Sequence, residues 1–119
     1  MAVNPQRGEV AIRVDGREHV MRLTLGALAE LEARLKVTSL LGLAEKFETG
    51  GVATAELIAL LAAGIGGGGG AVTEDELAVA QIEGGAVGAM KAGLLLLSRT
   101  FQPEMGQPET GQPETGSPG

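Results

Sequence analysis

Asp15-Gly16 stands between two runs of alternating residues, and no other feature narrows the fold as far. A type I′ turn needs positive φ at both central positions, and Asp-Gly is among the few dipeptides that supply it. A two-residue turn there sets a single register. Val14 falls opposite Arg17, Arg13 opposite Glu18, Ile12 opposite His19, Ala11 opposite Val20, Val10 opposite Met21 and Glu9 opposite Arg22. Strands are expected over residues 9–14 and 17–23. Successive residues of a strand face opposite sides, so one face of the ribbon carries Val10, Ile12, Val14, Met21 and Leu23. The other carries the charged pairs Glu9–Arg22 and Arg13–Glu18 around Ala11 and Val20. Each pair contributes roughly 0.2–1 kcal/mol, too little to hold a hairpin alone. A slip of one residue, however, would drive charge into the core. The apolar face needs a cover, which the helices must supply.

Five helices are expected after the ribbon. Thr24 is placed to cap the first, with an apolar stripe of Leu25, Leu28, Leu31 and Leu35 and with Glu30 and Arg34 at i,i+4 on the wet side. Ser39 is placed to cap a second, short one with Leu40, Leu43, Ala44 and Phe47 on one face, stopped by Gly50-Gly51. Thr54 opens a third, whose Leu57, Ile58, Leu60, Leu61 and Ile65 leave little polar circumference, so it is expected to be the most buried. Five glycines in series, residues 66–70, are expected to end it as a hinge or surface loop, since each costs roughly 1 kcal/mol in a helix. Thr73-Glu74-Asp75-Glu76 matches a capping box and starts a fourth helix, expected to run to about Ile82. The last, from about Ala86 to Phe101, sets Val87, Met90, Leu94, Leu97 and Phe101 along one seam, with Leu95 and Leu96 broadening it.

These elements imply an α+β fold: an N-terminal β-hairpin packed on a small bundle of about five short α-helices. Residues 1–7 read as a flexible N-terminus and residues 8–101 as one domain. Residues 102–119 hold three five-residue repeats beginning Gln-Pro-Glu, then Ser-Pro-Gly. Proline every fifth residue forbids a helix and nothing there can fill a core, so a disordered tail is expected.

Composition excludes several kinds of chemistry. The chain has no cysteine, so disulfides and thiolate metal sites are out. Phe47 and Phe101 are the only aromatics. The net charge is −6, and between Glu45 and Glu83 seven acidic residues face a single Lys46. That is the wrong sign for a nucleic acid backbone or an anionic membrane surface, and no helix-turn-helix offers a cluster of Arg or Lys. The segment before Gly8 lacks the apolar run of a signal peptide. The most apolar stretch, residues 86–97, is twelve residues long and includes Lys91, too short to span a bilayer. A cytoplasmic protein with neither nucleic acid nor membrane as partner is the default.

The candidate sites have bland explanations. Gly64-Ile65-Gly66-Gly67-Gly68-Gly69 matches the dinucleotide pattern G-x-G-x-x-G, but it follows a helix, not a strand, and no Gly-Lys-Ser/Thr accompanies it. His19 is the only histidine and has no triad or zinc partners, which suits a half-exposed structural residue. Glu74, Asp75 and Glu76 lack the spacing of a calcium loop and fit a helix N-terminus instead. No catalytic, cofactor-binding or metal-binding residue is expected, and no cofactor. What remains is surplus apolar surface on the third helix and on Leu94, Leu95, Leu96 and Leu97. Two explanations stay open for it: a partner-binding surface, or a central helix buried on several sides.

GEVAIRVDGREHVMRLTLGALAELEARL, from Gly8 to Leu35, and then LLGLAEKFETGGVATAELIALLAAGI resemble the tail assembly chaperone family of gene transfer agents and related phages. That family is also labelled a phage tail tube protein. The resemblance covers Gly8 to about Phe101 and leaves out the proline-rich tail. It implies a non-enzymatic protein that binds the tape-measure protein, or tail tube proteins, while a long tail is assembled, with self-association as a further possibility. Leu94, Leu95, Leu96 and Leu97 are the candidate partner-binding residues. The alternative, from the family's older label, is a permanent tube subunit. A tube subunit usually builds a ring-forming sandwich from several strands, and this chain offers one clear hairpin.

Overall fold

The computed structural model describes Val3, residues 8–35 and residues 40–101. The expected Ser39 cap, the expected flexible N-terminus of residues 1–7 apart from Val3, and the expected tail all lie outside those residues. Strands β1 (Val10–Val14) and β2 (Arg17–Met21) form an antiparallel hairpin, followed by helices α1 (Leu25–Leu35), α2 (Leu40–Thr49), α3 (Thr54–Gly67), α4 (Glu74–Val79) and α5 (Gly85–Phe101). The fold is the expected α+β one.

The hairpin register is the one that Asp15-Gly16 demands, from Val10 opposite Met21 to Val14 opposite Arg17. Both turn residues have positive φ, 52° and 80°. Val10, Ile12, Val14 and Met21 are buried and Leu23 is partly so. The strands are shorter than expected, since Glu9, Arg22 and Leu23 fall beyond the paired ladder. The Arg13 guanidinium turns back to the Gly16 carbonyl oxygen (2.7 Å) and not across to Glu18. At an exposed site an ion pair gains too little to compete with that local acceptor.

Helix α3 is the most buried, as its composition requires: Leu57, Ala59, Leu60, Leu61, Gly64 and Ile65 are all in the core. It begins at Thr54, but its cap is Ala53, whose amide donates to Glu56 Oε1 (2.9 Å). The glycine run departs from expectation. The helix continues through Gly66 and Gly67 to a C-cap at Gly68, and the run is a packing surface, not a loose loop. Gly64, Gly67 and Gly68, at i, i+3 and i+4, share one face that lies on the outer edge of β2. Arg22 N–H donates to the Gly64 carbonyl (2.9 Å). A Cβ on Gly67 would overlap the Arg22 carbonyl oxygen, and one on Gly68 the Val20 carbonyl oxygen. A Cβ on Gly64 would come within 2.7 Å of Leu96 Cδ2. Glycine is required here for close approach of backbone to backbone, which offsets its poor helix propensity.

The open edge of β1 is covered from the other side. Helix α4 starts as expected: Thr73 N–H donates to Glu76 Oε1 (2.8 Å) and Glu76 N–H to Thr73 Oγ1 (3.1 Å). It ends at Val79, short of the expected Ile82, because the chain turns extended and pairs with β1. Ile82 bridges Val14, Asp15 N–H donates to the Gln81 carbonyl (2.8 Å), and Glu83 N–H donates to the Arg13 carbonyl (3.1 Å). Sheet hydrogen bonds outcompete another turn of helix there.

Two apolar stripes are rotated from their expected positions. In α1, Thr24 Oγ1 accepts from Ala27 N–H (3.0 Å) as a cap should. Ala27 and Leu31 are the buried residues, while Leu25 is 85% exposed. At about 100° per residue, Leu25 lies about a quarter-turn from the middle of the Leu28, Leu31 and Leu35 side. Arg34 makes a two-pronged pair with Glu74 (2.9 and 3.2 Å) and so fastens α1 to α4, instead of pairing with Glu30. In α5 the buried face is Ala89, Gly93, Leu96 and Leu97, not the seam through Val87, which is exposed. Gly93 has no Cβ, and Phe47, Leu57 and Leu60 close over it, so α5 approaches by its small residues. Helix α2 ends as expected at Gly50, whose φ is 80°, with Gly51 N–H donating to the Lys46 carbonyl (2.8 Å).

Replacing Gly67 or Gly68 by Ala is expected to destabilise the domain by roughly 1–3 kcal/mol or more through overpacking. Gly66→Ala, which meets open space, is expected to be neutral or to stabilise by roughly 0.4–1 kcal/mol. Urea unfolding of the three variants checks this, and equal effects would show that the glycine face is not a contact.

Candidate functional site

The residues that sequence singled out for possible chemistry are occupied with structure. The amides of Gly68, Gly69 and Gly70 donate to carbonyls of Gly64, Ile65 and Gly66, whereas a phosphate loop needs such amides aimed at its ligand. His19 is half-buried on β2, near Gly70. Glu76 closes the α4 capping box and Glu74 holds Arg34. Among the described residues, no three His, Cys, Asp or Glu side chains are grouped so as to hold a metal ion, and no helix is long and apolar enough to cross a membrane.

The leucine run of α5 is divided by the helix's rotation. Leu96 and Leu97 are fully buried, Leu94 is partly buried and Leu95 is 41% exposed. The four therefore do not form one surface. Leu96 and Leu97 belong to the core, because they flank the small-residue face by which α5 meets α2, α3 and β1. Leu95 is left outside with Val87, eight residues earlier on the same side of the helix. Sequence spacing could not separate these roles, since all four leucines satisfy a broad apolar face equally well.

Several grooves open between the helices, one of about 350 Å³ among α1, α3 and α4 and two that bear on partner binding. The larger, about 680 Å³, lies among α3, α4 and the start of α5, where Ile58, Leu61, Ile82 and Ala86 supply apolar walls and Arg13 and Glu83 polar ones. The smaller, about 250 Å³, runs between α2 and α5. Leu41, Ala44, Glu45 and Glu48 line it from α2, and Leu94, Leu97, Ser98 and Phe101 from α5. Leu41 is 58% exposed. Sequence reasoning missed this pairing, although positions 41, 45 and 48 and positions 94, 98 and 101 each repeat at i, i+4, i+7, a spacing that marks a helix face.

The electrostatics of α2 are one-sided. Lys46 Nζ is held by Glu56 Oε2 at 3.0 Å, across the junction with α3. The Glu56 carboxyl lies below its ordinary value, chiefly because it accepts the Ala53 amide and secondly because it accepts the Lys46 ammonium. Lys46 is thereby drawn away from its neighbours. Among the described residues Glu45 and Glu48 have no ion-pair partner, and no cation lines the groove.

The geometry defines a small α+β domain whose open surface features are apolar grooves between helices. Residues 7–103 match the family described as "Phage tail tube protein, GTA-gp10". The chain belongs to that family of gene transfer agent and phage tail proteins. No curated protein and no solved structure matches it.

Leu96→Asp is expected to unfold the domain, because even the Ala substitution of a buried leucine costs roughly 2–5 kcal/mol. Leu95→Asp is expected to leave the helical circular dichroism and melting temperature close to those of the parent. A collapse of both would place Leu95 in the core. Glu56→Ala is expected to lower stability at pH 7 by roughly 0.3–1.5 kcal/mol through loss of the cap. A depressed folded-state value means that this contribution is fully present above the ordinary carboxylate value of 4.5 and fades as pH falls through the folded one. Urea titrations at pH 7 and pH 3 should therefore show the gap closing in acid.

Proposed function

We propose that this protein is a tail assembly chaperone of a gene transfer agent or prophage-like particle, acting without catalysis by binding the tape-measure protein while the tail is built. Membership in the tail family supplies the context. The observation that favours a chaperone over a permanent tube subunit is that both edges of the sheet are engaged in part by the chain itself. A tube built by pairing of strands between subunits needs strand edges to offer its neighbours. Here the two-stranded sheet has one edge covered by the glycine face of α3, and the other engaged by residues 81–83 and, near Glu9, by Arg99 Nη1 on the Glu9 carbonyl (2.6 Å). The surface open to a partner includes grooves between helices with apolar side chains in their lining, which suit binding of a helical segment.

The tube subunit is the second reading, favoured by the words of the family description. Copy number separates the two. Quantitative proteomics of washed, intact particles is expected to find the protein absent or scarce, and deletion of its gene is expected to leave particles without tails. Co-expression is expected to keep the cognate tape-measure protein soluble. Many copies in mature particles would establish the tube subunit instead, and normal tails after deletion would remove both.

A further inference from the structure

The groove between α2 and α5 combines three properties that together specify an occupant. Its apolar lining is Ala44, Leu94 and Leu97, with Leu41 and Phe101 beside them. Its walls are two neighbouring helices whose lining positions repeat at i, i+4, i+7, so that a third helix laid between them would meet side chains at every turn. Among the described residues its charged lining is acidic: Glu45 and Glu48 line the α2 wall, Lys46 is paired with Glu56, and no cation lines it. We propose that this groove is the docking site for an amphipathic helix of a partner protein, with leucine-type residues on its inner face and lysine or arginine along the flank that meets α2. This deepens the chaperone proposal and rests on it for the partner's role in the tail; the chemistry of the groove stands apart from it.

Charge selects among the occupants. The chain beyond Phe101 carries Glu104, Glu109 and Glu114 and no lysine or arginine, so it would bring like charge to Glu45 and Glu48. A second copy carries a net charge of −6, again the wrong sign. A cationic, leucine-faced helix satisfies the apolar lining and the α2 wall together.

The test uses the full chain and two fluorescein-labelled 18-residue helical peptides with identical leucine faces, one flanked by lysines and one by glutamates. Fluorescence anisotropy is expected to show tighter binding of the lysine peptide by roughly two- to thirtyfold, the range for two surface ion pairs. Glu45→Lys with Glu48→Lys, both exposed, is expected to reverse the preference. Ala44→Trp, which fills the groove, is expected to abolish binding of the lysine peptide, with circular dichroism checking that each variant is folded. Should Ala44→Trp fail to fold, amide shifts of the labelled parent on peptide addition replace it and should centre on α2 and α5. A preference that survives charge reversal, or shifts centred on other helices, would overturn the proposal. Sedimentation that shows a dimer dispersed by the double lysine variant would reassign the groove to a second copy and overturn it too. Normal tails after gene deletion, with the peptide preference intact, would remove the chaperone role while leaving the groove assignment in place. Failed charge reversal with tails lost on deletion would do the opposite.

Discussion

The contact between the glycine face of α3 and the outer edge of β2 determines how the sheet and the helical layer meet. Gly64, Gly67 and Gly68 bring helix backbone against strand backbone, and the Gly64 carbonyl takes the Arg22 amide. An edge strand left bare would present unpaired amides and carbonyls to any other chain. A helix with side chains on that face would stand too far off to cover them. The close approach also lets Leu96 and Met21 meet over Gly64, so one set of missing Cβ atoms joins β2, α3 and α5. Helices α1 and α4 then pack on α3 from other sides.

A second glycine sets the orientation of α5. Phe47, Leu57 and Leu60 fill the space above Gly93, and their burial turns the Ala89–Gly93 side of the helix inward. Leu96 and Leu97 follow it into the core, while Leu95 and Val87 are turned to the outside and Leu94 to the rim of the groove with α2. The surface available to a partner is thus a by-product of where the helix lacks side chains. Close packing of Leu-rich helices around small residues gives both a stable core and the shallow apolar clefts between helices.

Sheet-edge coverage and cleft chemistry bear on the same functional question. A protein that polymerises through its strands needs an edge to offer, and here α3 and residues 81–83 of the chain itself occupy part of each edge. Acidic residues along the α2 wall that no cation matches among the described residues bias the cleft toward cationic helices in the docking proposal. The proposed chaperone role rests on these two properties together.

What the sequence determined by itself is what local chemistry decides. Asp15-Gly16 admits one turn and hence one register, so the buried face of the ribbon followed residue by residue. Thr24 and the Thr73/Glu76 box marked two helix starts because a cap is complete within one turn, and Gly50-Gly51 marked a stop for the same reason. The count of helices and the burial of α3 were legible from apolar periodicity. Only the tertiary structure decided what each face meets. The glycine run reads as a loop while its helix propensity is considered alone, and becomes a packing surface once β2 lies across it. Helix α4 stops at Val79 because β1 offers hydrogen bonds at Gln81 and Glu83 that no neighbour in sequence reveals. The exposure of Leu25 and the division of Leu94 and Leu95 from Leu96 and Leu97 depend on which side of each helix is small enough to approach the core. That is a property of the partner surface as much as of the helix, and it lies beyond the reach of a local pattern.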